Sequence, residues 1–144
     1  MLLRLNRPED RVREALLRKM EGELGYPKGL LIIEKELKMS PHINKVVPIP
    51  SRRFDIVALA KNLHPDHVFY PLLLIECKAH SINVDVMRQV VGYNRFVKSV
   101  FLGLASPKEF YLGRYHGEKG EYVFNATLPR FESLYEEALC ITKT

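Results

Sequence analysis

The chain has 144 residues, with 22 Lys and Arg against 17 Asp and Glu, for a formal net charge of +5 at pH 7. At roughly 150 residues per domain, this length predicts a single domain over residues 1–144 and excludes motor-sized activities. A composition 47% hydrophobic and 27% charged excludes wholesale disorder and fibrous repeats.

The longest apolar run, Val68 to Ile75, contains Pro71 and falls well short of the about 20 residues of a membrane-spanning helix. The N-terminus reaches Arg4 and Pro8-Glu9-Asp10 too soon for a secretory signal, so a cytoplasmic location is expected. Cys77 and Cys140 match no metal or redox spacing and read as reduced, buried fillers.

A first helix opens at Asn6 or Arg7, with Pro8 in its first turn and Glu9 and Asp10 on the positive end of the dipole. Val12, Leu16, Leu17, Met20 and Leu24 form its apolar stripe, its Arg and Lys residues form a solvated face, and Gly25 and Pro27 end it. Leu30 to Lys38 reads as a strand with Glu34 and Glu36 at its exit, and the proline-rich stretch from Ser40 to Ser51 reads as loop. A second strand runs from Arg52 to Leu59, and Asn62 to Asp66 turns the chain. His64-Pro65-Asp66-His67 lies in that turn and lacks a third ligand, so it is read as a turn and not a metal site.

Phe69 to Lys78 is the third strand, and Leu72-Leu73-Leu74-Ile75 has no polar alternation, as in a central strand buried on both faces. Asn83 or Ser81 caps a helix from Val84 to Lys98, followed by a fourth strand from Ser99 to Ala105. Glu109 to His116 and Glu121 to Asn125 form a hairpin, and Pro129 starts a last helix through Leu139. The order implies an α/β fold, a mixed sheet flanked by helices, with the third and fourth strands joined by a parallel crossover. Tyr111, Tyr115 and Tyr122 with Arg114 and Lys119 form an aromatic and basic set in the hairpin, read first as cross-strand pairs.

Two positions carry charge where burial is expected. Asp55 stands just before an apolar stretch, and Glu76 and Lys78 stand at the end of the most buried strand. Desolvating a carboxylate costs several kcal/mol unless a cation or donors meet it. Glu76 and Lys78 share a strand face while Cys77 points to the other. If the second and third strands are neighbours, Asp55 and Glu76 can converge on one hard divalent cation with Lys78 facing the water, a set suited to phosphodiester hydrolysis. The plainer reading pairs Glu76 with Lys78 and Asp55 with Arg52 or Arg53, and spacing leaves both open.

Asp55 followed by Glu76-Cys77-Lys78 resembles the active-site pattern of the PD-(D/E)xK restriction-endonuclease-like superfamily. Pro8-Glu9, Gly25-Tyr26-Pro27, Arg52-Arg53-Phe54-Asp55-Ile56-Val57, Leu74-Ile75-Glu76-Cys77-Lys78-Ala79, and Arg88-Gln89 with Tyr93-Asn94 are together similar to the N-terminal nuclease domain of type I restriction enzyme R subunits, over roughly residues 8 to 106. The resemblance implies an αβββαβ core, here followed by a C-terminal hairpin and helix. It implies Asp55, Glu76 and the Cys77 backbone carbonyl as metal ligands, Lys78 as the catalytic lysine, and magnesium or manganese as the ion. It also implies that Gln89 borders the site and that Glu9 approaches the metal or its waters. Glu9 falls on the side of the buried stripe, three residues before Val12, whereas Glu14 projects away. Without the resemblance, Glu9 is a dipole-stabilising acid and Gln89 a polar residue at the core border.

No phosphate loop of the kind an ATPase motor carries occurs in the sequence, and no base-reading motif is visible. The expected activity is a metal-dependent DNA endonuclease that meets DNA through its backbone. Partners would be restriction or repair subunits or a second copy. A non-catalytic nucleic-acid-binding or assembly module on the same fold is the alternative.

Overall fold

The computed structural model describes residues 7–33 and 54–142. The Asn6 cap, the continuation of the first strand through Lys38, the Pro41–Pro50 loop and Arg52-Arg53 lie outside the described residues. Helix α1 spans Pro8–Gly22, with Arg7 as its N-cap and Pro8 in its first turn. Asp10 Oδ2 accepts the Arg7 N–H at 3.2 Å, satisfying one of the donors a helix start leaves over. Val12, Leu16 and Met20 are its buried residues.

Strands β1 (Leu31–Ile33), β2 (Ile56–His64) and β3 (His67–Cys77) follow. After them come helix α2 (Val84–Val97), strands β4 (Phe101–Ala105), β5 (Phe110–His116) and β6 (Glu121–Asn125), and helix α3 (Phe131–Thr142). The six strands lie in chain order in one sheet. All neighbours are antiparallel except β3 and β4, which run parallel. Helix α2 makes that crossover, so the mixed sheet expected from the sequence is the one observed.

The sheet divides the core in two. Val12, Leu16 and Met20 of α1 and Leu134 and Ala138 of α3 pack with Ile56, Leu73, Ile75 and Cys77 on one face. Val90 and Val97 of α2 pack with Val57, Leu74, Leu102 and Leu104 on the other. Residues 72–77 are all buried, because β3 is central and each of its faces meets a helical layer. Leu59 pairs with Pro71 although Ala58 pairs with Leu73, so a bulge at Leu72 absorbs the ladder donor that Pro71 lacks.

Some expectations are corrected. Asn62, Leu63 and His64 stay in β2, and the turn is only Pro65-Asp66. Asn62 takes a left-handed φ of 64°, which asparagine tolerates, so polar residues continue the strand through an irregularity. Helix α3 begins at Phe131, not Pro129. Pro129 and Arg130 instead tie it to the end of α1, through Tyr26 Oη to the Pro129 carbonyl at 2.9 Å and Arg130 Nη1 to the Glu23 carbonyl at 2.9 Å. Cys77 is buried as expected, but Cys140 is exposed on α3.

Asn94 is buried at the end of α2 and holds the chain into β4. Its Oδ1 accepts the Ser99 N–H at 2.7 Å, and its Nδ2 donates to the Ser99 carbonyl and to Tyr122 Oη, both at 3.0 Å. Asn94→Ala orphans buried backbone groups, each costing about 1–3 kcal/mol. The variant is expected to lower the denaturant midpoint by about 2 kcal/mol of stability, with unchanged circular dichroism below the transition. An unchanged midpoint would show that water replaces the amide.

Candidate active site

The chemistry-bearing residues gather where β3 ends. Asp55 directly precedes β2, and its N–H donates to the Ile75 carbonyl at 3.1 Å. Its Oδ2 accepts the Cys77 N–H at 2.7 Å. Asp55 is therefore held against the β3 backbone on either side of Glu76, by its own N–H at Ile75 and by its carboxylate at Cys77. Lys78 continues from the strand, its N–H donating to the Ala105 carbonyl of β4 at 2.7 Å.

Strand alternation sends Ile75 and Cys77 into the α1 layer and Leu74 into the α2 layer, so Glu76 and Lys78 share the α2 side. Lys78 Nζ lies 3.3 Å from Glu76 Oε1, and the Glu76 side chain is 11% exposed against 32% for Lys78. Glu76 Oε2 is buried with no hydrogen-bond partner among the described residues. Burial pushes the Glu76 carboxyl above its ordinary pKa, the Lys78 ammonium opposes that shift, and the nearby Asp55 carboxylate adds to it. Burial also pushes the Cys77 thiol well up, with Asp55 and Glu76 contributing and Arg13 opposing. Such a thiol stays protonated and inert.

The other two candidates lie on the flanking helices. Glu9 is half-buried in the first turn of α1, and Gln89 is exposed on α2. Val90, next to Gln89, is the buried residue of that turn. Neither Glu9 nor Gln89 makes a hydrogen bond or ion pair to Glu76 or Lys78 among the described residues. Glu14 is exposed.

Arg13 is a residue that reading the helix as a solvated face missed. It is only half-exposed, its Nη1 bonds Asp10 Oδ1 at 3.1 Å, and its buried Nε has no partner among the described residues. Its charge reaches Cys77. The signal available in the sequence was its place beside Val12, at the margin of the apolar stripe.

Among the described residues no group of three or more His, Cys, Asp or Glu is arranged to hold a metal. The donor set is instead two carboxylates, one with a buried and unpartnered oxygen. That suits a hard ion that takes one or two carboxylates and completes its shell with water or phosphate, and it does not suit zinc.

A mixed sheet with flanking helices and an acid-x-lysine triplet ending its central strand defines a restriction-endonuclease-like domain. The chain belongs to the family described as type I restriction enzyme R protein N terminus (HSDR_N), whose profile matches residues 8–129. The match extends past residue 106 and takes in the hairpin, which the sequence motifs had left unassigned. No curated protein and no solved structure matches the chain. No helix among the described residues is long and apolar enough to cross a membrane.

Proposed function

We propose that this domain is a cytoplasmic nuclease that hydrolyses DNA phosphodiester bonds with magnesium or manganese. The Asp55 and Glu76 carboxylates and the Cys77 backbone carbonyl would hold the ion. The observation that carries this reading is Glu76 itself: a buried carboxylate with one oxygen on Lys78 and the other without a partner among the described residues. Keeping such a group is costly for stability and is explained by a cation that it binds.

A divalent ion supplies neutralisation of phosphate charge and a lowered pKa for water. The chain supplies the geometry. The Cys77 N–H fixes the Asp55 rotamer, and the strand end fixes Glu76 beside it. Lys78, partly open to solvent, places its ammonium where it can orient the attacking water or meet negative charge as it develops on the phosphate. Glu9 would approach from α1 and Gln89 from α2.

Supercoiled plasmid incubated with the protein and manganese or magnesium is expected to be nicked or linearised, and to survive with EDTA. No cleavage with either ion would overturn the hydrolytic reading in favour of a non-catalytic nucleic-acid-binding or assembly module. Partners expected on this reading are DNA, a second copy, or restriction or repair subunits.

With a net charge of +5 and no base-reading element, binding is expected to follow phosphates and not sequence. If about three to five phosphates are neutralised, log affinity falls against log salt with a slope of roughly −3 to −5, and unrelated duplexes bind alike. Titrating two duplexes across a salt series checks this. A flat response, or a preference above about 4 kcal/mol for one sequence, would sink it.

A further inference from the structure

At the opposite end of the sheet from Glu76 lies a cleft of about 530 Å³, formed by the β2–β3 turn, the end of α2 and the β5–β6 hairpin. Its size is within the roughly 300–1,000 Å³ of small-ligand sites. Along β3 it is about 20 Å from the candidate active site, the span from Tyr70 to Glu76 at about 3.3 Å per residue.

Aromatic rings line two sides of it. His64 and Tyr70 stack with centroids 5.2 Å apart and planes 16° from parallel. Tyr115 meets Tyr122 edge-on at 5.3 Å, and Tyr115 is 58% exposed. The fold anchors the polar groups between them. Asn94 Nδ2 bonds Tyr122 Oη at 3.0 Å, and Tyr70 Oη donates to the Lys98 carbonyl at 2.8 Å. The Asp66 N–H donates to His64 Nδ1 at 3.1 Å, so the neutral ring carries its proton on Nε2, where it is a donor. Lys98 lines the cleft, and among the described residues no Asp or Glu does.

We infer that this cleft receives an unstacked nucleobase of single-stranded DNA, with Tyr115 and the His64–Tyr70 pair offering ring faces and Lys98 meeting an adjacent phosphate. The chemistry favours a planar, π-rich, anionic polymer. Aromatic walls take any base through its π-face, and a cation without a neighbouring carboxylate takes the backbone. The inference rests on the DNA-binding part of the proposed function and not on hydrolysis. It assigns a role to Tyr115 and Tyr122 of the hairpin, which contact none of Asp55, Glu76 or Lys78 in the interactions described above.

The chain has seven Tyr and no Trp, so its intrinsic fluorescence reports tyrosine alone. Titrating the full chain in EDTA with a labelled thymidine strand of about ten nucleotides is expected to give saturable anisotropy and quenched tyrosine emission. Tyr115→Ala should weaken binding at least about fivefold, as loss of one stacking contact does, while Tyr115→Phe keeps it. Lys98→Ala should reduce the salt slope by about one. An abasic strand that binds as tightly, or a Tyr115→Ala variant that binds like wild type, overturns the inference. So does an acidic peptide of equal charge that binds as well as the strand, which would make the cleft a peptide site. Because EDTA is present and cleavage is not read, failure here is distinct from failure of the plasmid assay.

Discussion

Lys78→Ala is expected to abolish DNA cleavage, with a loss of at least about 10²–10³-fold, the scale for removing one group that stabilises developing charge. The fold should survive. The Lys78 N–H keeps its bond to the Ala105 carbonyl whatever the side chain, and the Glu76 carboxyl, only 11% exposed, can take up a proton instead of staying as a lone buried charge. A second effect follows from the electrostatics. Lys78 is the cation that opposes the burial-driven rise of the Glu76 carboxyl, so without it that carboxyl holds its proton to still higher pH. Metal titration by calorimetry should show the variant binding only at higher pH than wild type. Wild-type turnover by Lys78→Ala would show instead that the lysine serves as a strand-end ion pair.

Glu76→Gln is expected to move two readouts in opposite directions: cleavage and metal affinity are lost, while the metal-free protein becomes more stable. The sign comes from the raised carboxyl. A carboxyl whose folded pKa exceeds its unfolded value binds its proton more tightly when folded. Its stabilisation is present below the unfolded value of about 4.5 and is lost as pH rises through the folded pKa. Above its folded pKa the ionised, half-satisfied carboxylate is therefore a cost that the neutral amide removes. A gain of about 1 kcal/mol corresponds to roughly 2–8 °C in Tm for a domain of this size class. Thermal unfolding in EDTA across a pH series checks it: the wild type should lose stability relative to the variant as pH rises above that range. A variant less stable than wild type at neutral pH would mean that the Glu76–Lys78 pair holds the strand end together.

Much of this was legible from local pattern. The unalternating Leu72-Leu73-Leu74-Ile75 run identified the central strand, Asn83, one of two caps the pattern offered, starts α2 with its side chain accepting the Val86 N–H at 3.0 Å, and the spacing of Glu76 and Lys78 put both on one side. What local pattern could not show was contact between distant segments. The acceptance of the Cys77 N–H by Asp55 depends on the register of β2 against β3, which no spacing in the sequence encodes. The extension of β2 through Asn62 and His64 was hidden because these are turn-forming residue types, and only pairing with β3 keeps them extended. Glu9 and Gln89 became candidates through family resemblance, since a first-turn acid and a helical glutamine carry no chemical signature of their own. Arg13 was passed over because a helix face rich in Arg and Lys reads as solvated, and only the packing of α1 against the sheet lets its charge act on Cys77.

The strands lie side by side in the order in which the chain makes them. Pro65-Asp66 joins β2 to β3, residues 106–109 join β4 to β5, and residues 117–120 join β5 to β6. Each of these ladders closes a short loop, so little chain entropy is spent before its contacts repay it. Two pairs differ: β1 and β2 are separated by residues 34–55, and the parallel pair β3 and β4 must wait for α2 to bring the chain back across the sheet. Of the two long closures, the parallel one is the step that joins the two halves of the sheet. Because Lys78 meets Ala105 across that same pair, the strand end bearing Glu76 and Lys78 takes its final place only when that step is complete.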